Sequence, residues 1–259
     1  MGKRKIVGTC HLCGSFGELT FEHVPPRAAF NNRPVIHLTH DDAFKLRPEQ
    51  VPKGPIQQRG MGSYSLCAPC NNKTGQWYGS SFVDWCYEGL TILQRTGGRP
   101  TLYHVSYSYP LRIIKQISAM FFTVCSSTFG PKNPELVRFV LNREVTGLSP
   151  KYRFFTYYNL EGRLRFSGPV GLLDVHKGTS SFIAEISYPP FGYVMTLDSL
   201  PPEKQLVEIS AFAGYGYYEL ASISRRFPVL QTYMPMPGDY RPYDPALQVE
   251  PSIPPPSFK

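Results

Sequence analysis

The chain has 259 residues, of which 42% are hydrophobic, and its formal net charge is +8. This length and apolar content are ordinary for a globular protein with a sizeable core, and no stretch is apolar enough to predict a membrane-spanning helix. The basic N-terminus also lacks the apolar run of a secretory signal peptide. We therefore expect a cytoplasmic protein, whose cysteines bind metal rather than form disulfides.

The positive charge is concentrated in the first third of the chain. Residues 1–80 contain ten Lys and Arg against five Asp and Glu, whereas the remaining residues contain seventeen against fourteen. A basic segment of this kind suits a polyanionic substrate such as nucleic acid. Charge alone is equally compatible with a generic basic surface.

The N-terminal segment predicts a short strand and half of a hairpin. Residues 1–9 form a basic lead-in and a strand that ends in the first CxxC pair, and residues 14–24 alternate as a second strand. Pro25-Pro26 ends this strand, because proline cannot continue a hydrogen-bonded ladder. Residues 28–62 are punctuated by Pro, Gly and Asn, and we expect them to be irregular. His37 and His40 in this excursion are surface groups or additional metal ligands.

Two CxxC pairs predict a closed metal site. Four thiolates satisfy tetrahedral zinc without leaving an open position, so the predicted zinc is structural. Its ligands are Cys10, Cys13, Cys67 and Cys70. The other two cysteines, Cys86 and Cys125, lie in apolar helical patterns and are predicted to be core residues.

A long helix and then a β-rich region follow the second CxxC pair. Apolar residues at steps of three and four predict a helix from Asn71 to about Thr96, ended by Gly97-Gly98. A strand over 101–109, an amphipathic helix over 111–128 and a short helix over 134–143 come next. Aromatic and β-branched runs after residue 150 predict at least four strands, mostly antiparallel because their connections are short. The last 25 residues contain eight prolines and predict an extended tail.

These elements predict an α+β fold in three parts. Residues 1–98 form a zinc-stapled domain, residues 99–234 a helical and β-rich accessory domain, and residues 235–259 a Pro-rich tail. We find no catalytic signature in the accessory domain. It is expected to serve oligomerisation, a partner protein or an effector.

The order of motifs in residues 8–80 resembles the zinc-knuckle branch of the HNH, or ββα-metal, endonucleases. A cysteine pair is followed by Glu22-His23-Val-Pro-Pro, and a second cysteine pair is followed at once by Asn71. The resemblance implies that Glu22 and Asn71 bind a catalytic divalent ion and that His23 is the general base. Oxygen ligands suit Mg²⁺ or Mn²⁺, and a neutral imidazole can take a proton from water near pH 7.

The sequence departs from the family pattern at one position. The family's middle Asn, which holds the hairpin loop together, corresponds here to Gly62. Asn31, Asn32 or a backbone group could take its place. The segment between the two half-motifs is also long.

The resemblance implies a metal-dependent endonuclease that hydrolyses DNA, with RNA not excluded as a substrate. Arg27 and Lys73 are the candidate contacts to the nucleic-acid backbone, although each is also readily explained as a solvated surface charge. By analogy with the family, such a nuclease would serve bacterial defence or restriction. The alternative, favoured by the missing Asn, is a zinc-ribbon module that binds nucleic acid or protein without cutting.

Overall fold

The protein is an α+β molecule, as predicted. The structure, a computed structural model, describes residues 5–45, 53–96, 99, 101–159, 164–174, 178–199 and 206–234. The predicted Pro-rich tail and the glycine pair expected to end the long helix lie outside these residues.

The N-terminal part combines short strands with one long helix. Its elements are β1 (Ile6–Thr9), β2 (Phe16–His23), β3 (Val35–Ile36), α1 (His40–Lys45), β4 (Ile56–Gln57), β5 (Gly62–Cys67) and α2 (Ala68–Thr96). β1, β2 and β5 form an antiparallel sheet in the order β1-β2-β5. The helix α2 starts inside the second CxxC pair, three residues before the predicted start at Asn71.

The second part contains two helices of substantial length and a large sheet. Its elements are β6 (Thr101–Ser108), α3 (Pro110–Val124), α4 (Phe129–Lys132), α5 (Pro134–Leu141), β7 (Tyr152–Asn159), β8 (Arg165–Asp174), β9 (Thr179–Tyr188), β10 (Phe191–Leu197), β11 (Val207–Glu208), a 3₁₀ turn (Ser210–Gly214) and β12 (Ala221–Leu230). The sheet order is β6-β12-β7-β10-β9-β8, with β11 on β7. Its pairings are antiparallel except for a short parallel contact between β12 and β7.

The helix α3 lies at the centre of the protein rather than on its surface. The sequence predicts an amphipathic helix over 111–128, but α3 ends at Val124 and only Arg112 and Val124 in it escape full burial. The reason is that α3 packs against α2, α5, β5 and strands of the large sheet, so it has neighbours on nearly every side. Aromatic side chains complete this core, with Trp85 of α2 stacked 5.1 Å from Phe191 of β10.

The N-terminal sheet and the β-rich region belong to one compact unit. Residues 1–35 and 57–234 group together, so the predicted domain boundary near residue 98 falls inside this unit. Residues 36–56 belong to a second unit. The excursion expected to be irregular contains α1 and the short strands β3 and β4, and Thr39 caps α1 by exchanging hydrogen bonds with Asp42.

No helix among the described residues is both long enough and apolar enough to cross a membrane.

Candidate metal and nuclease site

Four cysteines from two distant segments converge into one cluster. The sulfur atoms of Cys10, Cys13, Cys67 and Cys70 all lie within 4.8 Å of one another. The Sγ atoms of Cys13 and Cys67 are 3.7 Å apart. This matches the edge of a tetrahedron whose metal–sulfur bonds are about 2.3 Å long, as in zinc sites. The cluster could hold a metal ion such as zinc.

The chain turns around these sulfurs as metal knuckles do. Gly14 follows the first pair with φ of +76°, and its N–H donates to the Cys10 carbonyl (2.9 Å). The Cys67 N–H donates to the Cys10 sulfur (3.3 Å). His11 in the same knuckle donates to the Phe122 carbonyl on α3 (3.2 Å). The cluster is thus anchored both to the N-terminal sheet and to the central helix.

The environment of the cluster favours a thiolate on one cysteine. A hydrogen bond from the Cys70 thiol, together with backbone N–H groups, lowers the pKa of Cys10 to about 4. The same interaction raises the pKa of Cys70, and burial raises that of Cys67. Metal binding needs thiolates, and the lowered pKa of Cys10 favours that form.

Glu22 and His23 lie at the end of β2 on opposite faces of the hairpin. They are the last two residues of the β2–β5 ladder, opposite Ser63 and Gly62. The His23 ring packs against the Phe21 ring at 4.9 Å, two residues earlier on the same face. Side chains alternate along a strand, so Glu22 points to the other face, together with Thr20. β2 stops at His23, shortly before Pro25-Pro26, which the sequence predicts to end the strand.

The Glu22 side chain is largely buried, and its carboxylate has no partner among the described residues. The residue is 8% exposed, and it makes no hydrogen bond or ion pair with any residue that the structure describes. Burial raises its pKa to about 8. A buried carboxylate without a partner is costly, and a bound cation is one way to remove that cost.

Asn71 reaches β2 on the face that carries Glu22. From the first turn of α2, its Nδ2 donates to the Thr20 hydroxyl (3.0 Å) and lies 3.5 Å from the Phe21 carbonyl. These contacts use the amide nitrogen and leave the amide oxygen available as a ligand. Asn71 therefore contacts β2 at Thr20, two residues before Glu22, whereas the His23 ring packs against Phe21.

His23 lies among basic residues. Burial lowers its pKa, as do the charges of Arg27 and Arg59, whereas the nearby backbone of Arg59 raises it. The Arg59 guanidinium lies 5.7 Å from the Phe21 ring centre and donates to the Tyr64 hydroxyl (2.8 Å). The sequence reading did not single out Arg59. Its neighbours Gly60 and Gly62 gave a turn signal, but nothing in the spacing showed that the turn folds back over His23.

Asn31 takes over the task expected of the missing middle Asn. Its side chain is fully buried, and its Nδ2 donates to the carbonyls of Pro25 (2.8 Å) and Met61 (2.6 Å). Its Oδ1 accepts from the Met61 N–H (2.7 Å). At Gly62 itself, an added Cβ would lie 2.1 Å from the Glu22 carbonyl oxygen, so no side chain fits there. Asn31 ties the end of β2 to the start of β5 from another point in the chain.

The two predicted backbone contacts are placed differently. Arg27 is exposed and close enough to His23 to influence its charge. Lys73 is exposed too, but it lies two residues after Asn71, which turns it about 200° around the helix from the Asn71 face. Its ammonium lies 5.9 Å from the Trp77 ring centre. Lys73 is therefore not part of the group around Glu22 and His23.

The polar side chains that are buried in the β-rich region hydrogen-bond to other residues of the core. His104 is fully buried between the hydroxyls of Tyr158 (2.8 Å) and Ser106 (3.0 Å), and burial lowers its pKa to about 4. Glu185 accepts hydrogen bonds from the Tyr157 hydroxyl and from the backbone N–H of Met234. Cys86 and Cys125 are buried, as predicted.

Comparisons with protein-family models, curated proteins and solved structures found no match to this chain. The fold and the site define an α+β protein with a four-cysteine metal-type cluster beside a hairpin that carries an acid-histidine pair.

Proposed function

We propose that this protein is a metal-dependent endonuclease that hydrolyses DNA phosphodiester bonds with an HNH-type hairpin and helix. The observation that supports the proposal is the largely buried side chain of Glu22, whose carboxylate has no partner among the described residues, two residues along β2 from the Thr20 hydroxyl that Asn71 contacts. A hard divalent cation would pair with this carboxylate, and the free amide oxygen of Asn71 is a second ligand of the same hard type. Zinc in the cysteine cluster would hold the hairpin and helix together.

A bound Mg²⁺ or Mn²⁺ would neutralise charge on the phosphate and stabilise the leaving oxygen. In this scheme Glu22 and Asn71 hold the ion from the β2 face and from the helix end. Because the two ligands come from different elements, their positions depend on the packing of α2 against β2. The cysteine cluster would fix this packing, because Cys70 directly precedes Asn71 and Cys67 lies three residues before Cys70.

His23 has the properties of a general base. Its lowered pKa keeps the imidazole neutral at pH 7. A neutral imidazole carries one ring nitrogen with a free lone pair, which can accept a proton from water. Since His23 is the last residue of β2, a phosphate lying across the strand end would meet Glu22 on one side and His23 on the other. Arg27 and Arg59 would bind its oxygens.

The test is cleavage of supercoiled plasmid with Mg²⁺ or Mn²⁺, with EDTA as the metal-free control. His23→Ala is expected to reduce the rate by about 100- to 10,000-fold, the usual contribution of a general base. It should leave zinc content and melting temperature unchanged. His37→Ala is the matched control, because His37 is exposed and belongs to the other compact unit. Cleavage at the wild-type rate by His23→Ala would refute the assigned role.

The cation ligands have matched neighbours as controls. Glu22→Gln and Asn71→Ala should raise the Mg²⁺ concentration needed for half-maximal cleavage by at least tenfold, since each removes one ligand. Glu18→Gln and Asn72→Ala remove an exposed carboxylate and an exposed amide from the same two elements, and should leave it unchanged. Parallel assays on single-stranded DNA and RNA define the substrate, because nothing in the site reads a 2′-hydroxyl.

The second candidate is a zinc-ribbon module that binds nucleic acid or a protein partner without cutting. The opposite orientation of Glu22 and His23 favours it, because a cation held by Glu22 does not contact the imidazole directly. Under this alternative, wild-type protein binds DNA but produces no metal-dependent nicks. His23→Ala would then alter binding or stability only.

A further inference from the structure

The two edges of the large sheet differ in how they are protected. At one end, β8 contains Pro169 and a register irregularity between Ser167 and Val170. Prolines and bulges prevent an edge strand from pairing with another chain. At the other end, β6 (Thr101–Ser108) is a regular eight-residue strand without Pro, Gly, Lys or any acid. One of its edges pairs with β12, and no strand among the described residues pairs with the other.

The outer face of β6 is apolar at alternate positions. Tyr103, Val105 and Tyr107 are 67%, 59% and 72% exposed, whereas the residues between them are buried against the core. Proteins seldom leave a long, flat, apolar edge open, because its free backbone groups are a template for another strand. The strand therefore has the features of an interface.

The pattern along β6 is nearly symmetric about Val105. In an antiparallel pair of two β6 strands related by a two-fold axis at Val105, each Val105 lies opposite its copy and each Tyr103 lies opposite Tyr107 of the copy. Aromatic pairs directly across antiparallel strands stabilise a sheet. No like charges meet, because β6 has no charged side chain on this face. A surface that is complementary to itself is the requirement for a two-fold dimer.

From these observations we propose that the protein forms a homodimer through β6, which joins two large sheets into one. The observations favour a second copy over nucleic acid. The nearest cation on this face, Arg226 of β12, already donates to the Thr101 hydroxyl (2.8 Å), and the strand itself offers no cation to a phosphate. The exposed side chains supply on the order of 350 Å² per chain, less than the about 800 Å² per partner of a standard stable interface. The dimer is therefore expected to be weak.

The test is the mass of the full, zinc-loaded chain by sedimentation equilibrium between 1 and about 200 µM. A single chain has a mass of 29.3 kDa, and the wild type is expected to approach twice this value at high concentration. Val105→Lys places two ammonium groups opposite each other and should weaken association at least tenfold. Val105→Thr keeps a β-branched side chain and should associate like the wild type. Phe182→Lys, on the interior strand β9, is the matched control, because Phe182 is 52% exposed but lies away from the edge.

Register is tested with Val105→Cys and a short bis-maleimide. Covalent dimers in this variant, but not in the wild type, place the two copies of residue 105 together. A wild type that stays monomeric at 200 µM overturns the proposal, as does a Val105→Lys variant that dimerises normally. A monomeric wild type whose nucleic-acid affinity falls in Val105→Lys overturns it too, and assigns the strand to nucleic acid. Unchanged melting of Val105→Lys at low concentration excludes a folding defect.

Discussion

The hydrogen bonds that Asn31 makes across the hairpin loop give a quantitative prediction. Asn31→Ala removes a fully buried side chain that makes three hydrogen bonds to the backbone of Pro25 and Met61. The Met61 carbonyl keeps a second donor, the Val24 N–H (2.9 Å), but the Pro25 carbonyl and the Met61 N–H lose these bonds. At about 1 to 1.5 kcal/mol for each bond, plus a small cavity, the variant should be less stable by about 3 kcal/mol.

Two measurements check this value on zinc-loaded protein. In urea unfolding, the free energy of unfolding of Asn31→Ala should be lower by this amount. The slope of that free energy against urea concentration should change little. Amide hydrogen exchange at Met61 should accelerate by about 150-fold, the factor that corresponds to about 3 kcal/mol. Asn32→Ala is the matched control, because Asn32 is exposed and only its backbone N–H is bonded. If Asn31→Ala were as stable as Asn32→Ala, the side chain would not be what ties the two strand ends together.

Three further predictions concern the cluster, the core and the hairpin. Protein purified without added metal should carry about one zinc ion per chain. Cys13→Ser should lose this zinc and have a lower melting temperature, whereas Cys86→Ser should keep it. Equal zinc content in the two variants would contradict the site. Burial lowers the pKa of Lys115 to about 7 from 10.5, so between these values the unfolded chain binds more protons and stability rises with pH. The wild type should thus gain about 2 kcal/mol between pH 7 and pH 9 relative to Lys115→Met, and parallel pH profiles of the two would refute this. Gly62→Asn introduces the residue type that the HNH resemblance leads one to expect. It should lower the melting temperature because its Cβ would meet the Glu22 carbonyl at 2.1 Å, and a more stable variant would show that the loop can move aside.

The sequence predicted the local elements well where a periodic pattern or a turn residue marked them. The hairpin strand ending at His23, the long helix and the burial of Cys86 all follow from patterns a few residues long. The metal cluster was also predictable, because two CxxC pairs constrain four side chains at once. Each of these signals is contained in a short stretch of chain.

The long-range arrangement could not be obtained in this way. The helix α3 has an amphipathic pattern, yet it is buried on nearly all sides because α2, α5, β5, the 3₁₀ turn and strands of the large sheet pack around it. Asn31 and Arg59 lie in residues 28–62, between the two halves of the motif, where no periodic pattern indicates which residues contact the site. Lys73 was expected near the substrate, but its position on the helix turns it away from the Asn71 face. These three placements depend on tertiary packing rather than on local pattern.

The choice between nuclease and binding module depends on the geometry at the end of β2. Glu22 and His23 are neighbours on a strand, where alternation turns their side chains to opposite faces. A phosphate is large enough to lie across the strand end and meet both, because β2 stops at His23 and the chain turns away at Pro25. A catalytic site therefore requires that the strand end here and that the loop behind it be rigid. Asn31 supplies that rigidity. If the protein cuts DNA, Asn31→Ala should slow cleavage more than it weakens DNA binding measured in EDTA. Binding needs only the basic surface, whereas cleavage needs Glu22 and His23 to be held in fixed positions relative to each other. A binding module would show no metal-dependent cleavage in either protein, and Asn31→Ala would change only its stability or its DNA binding.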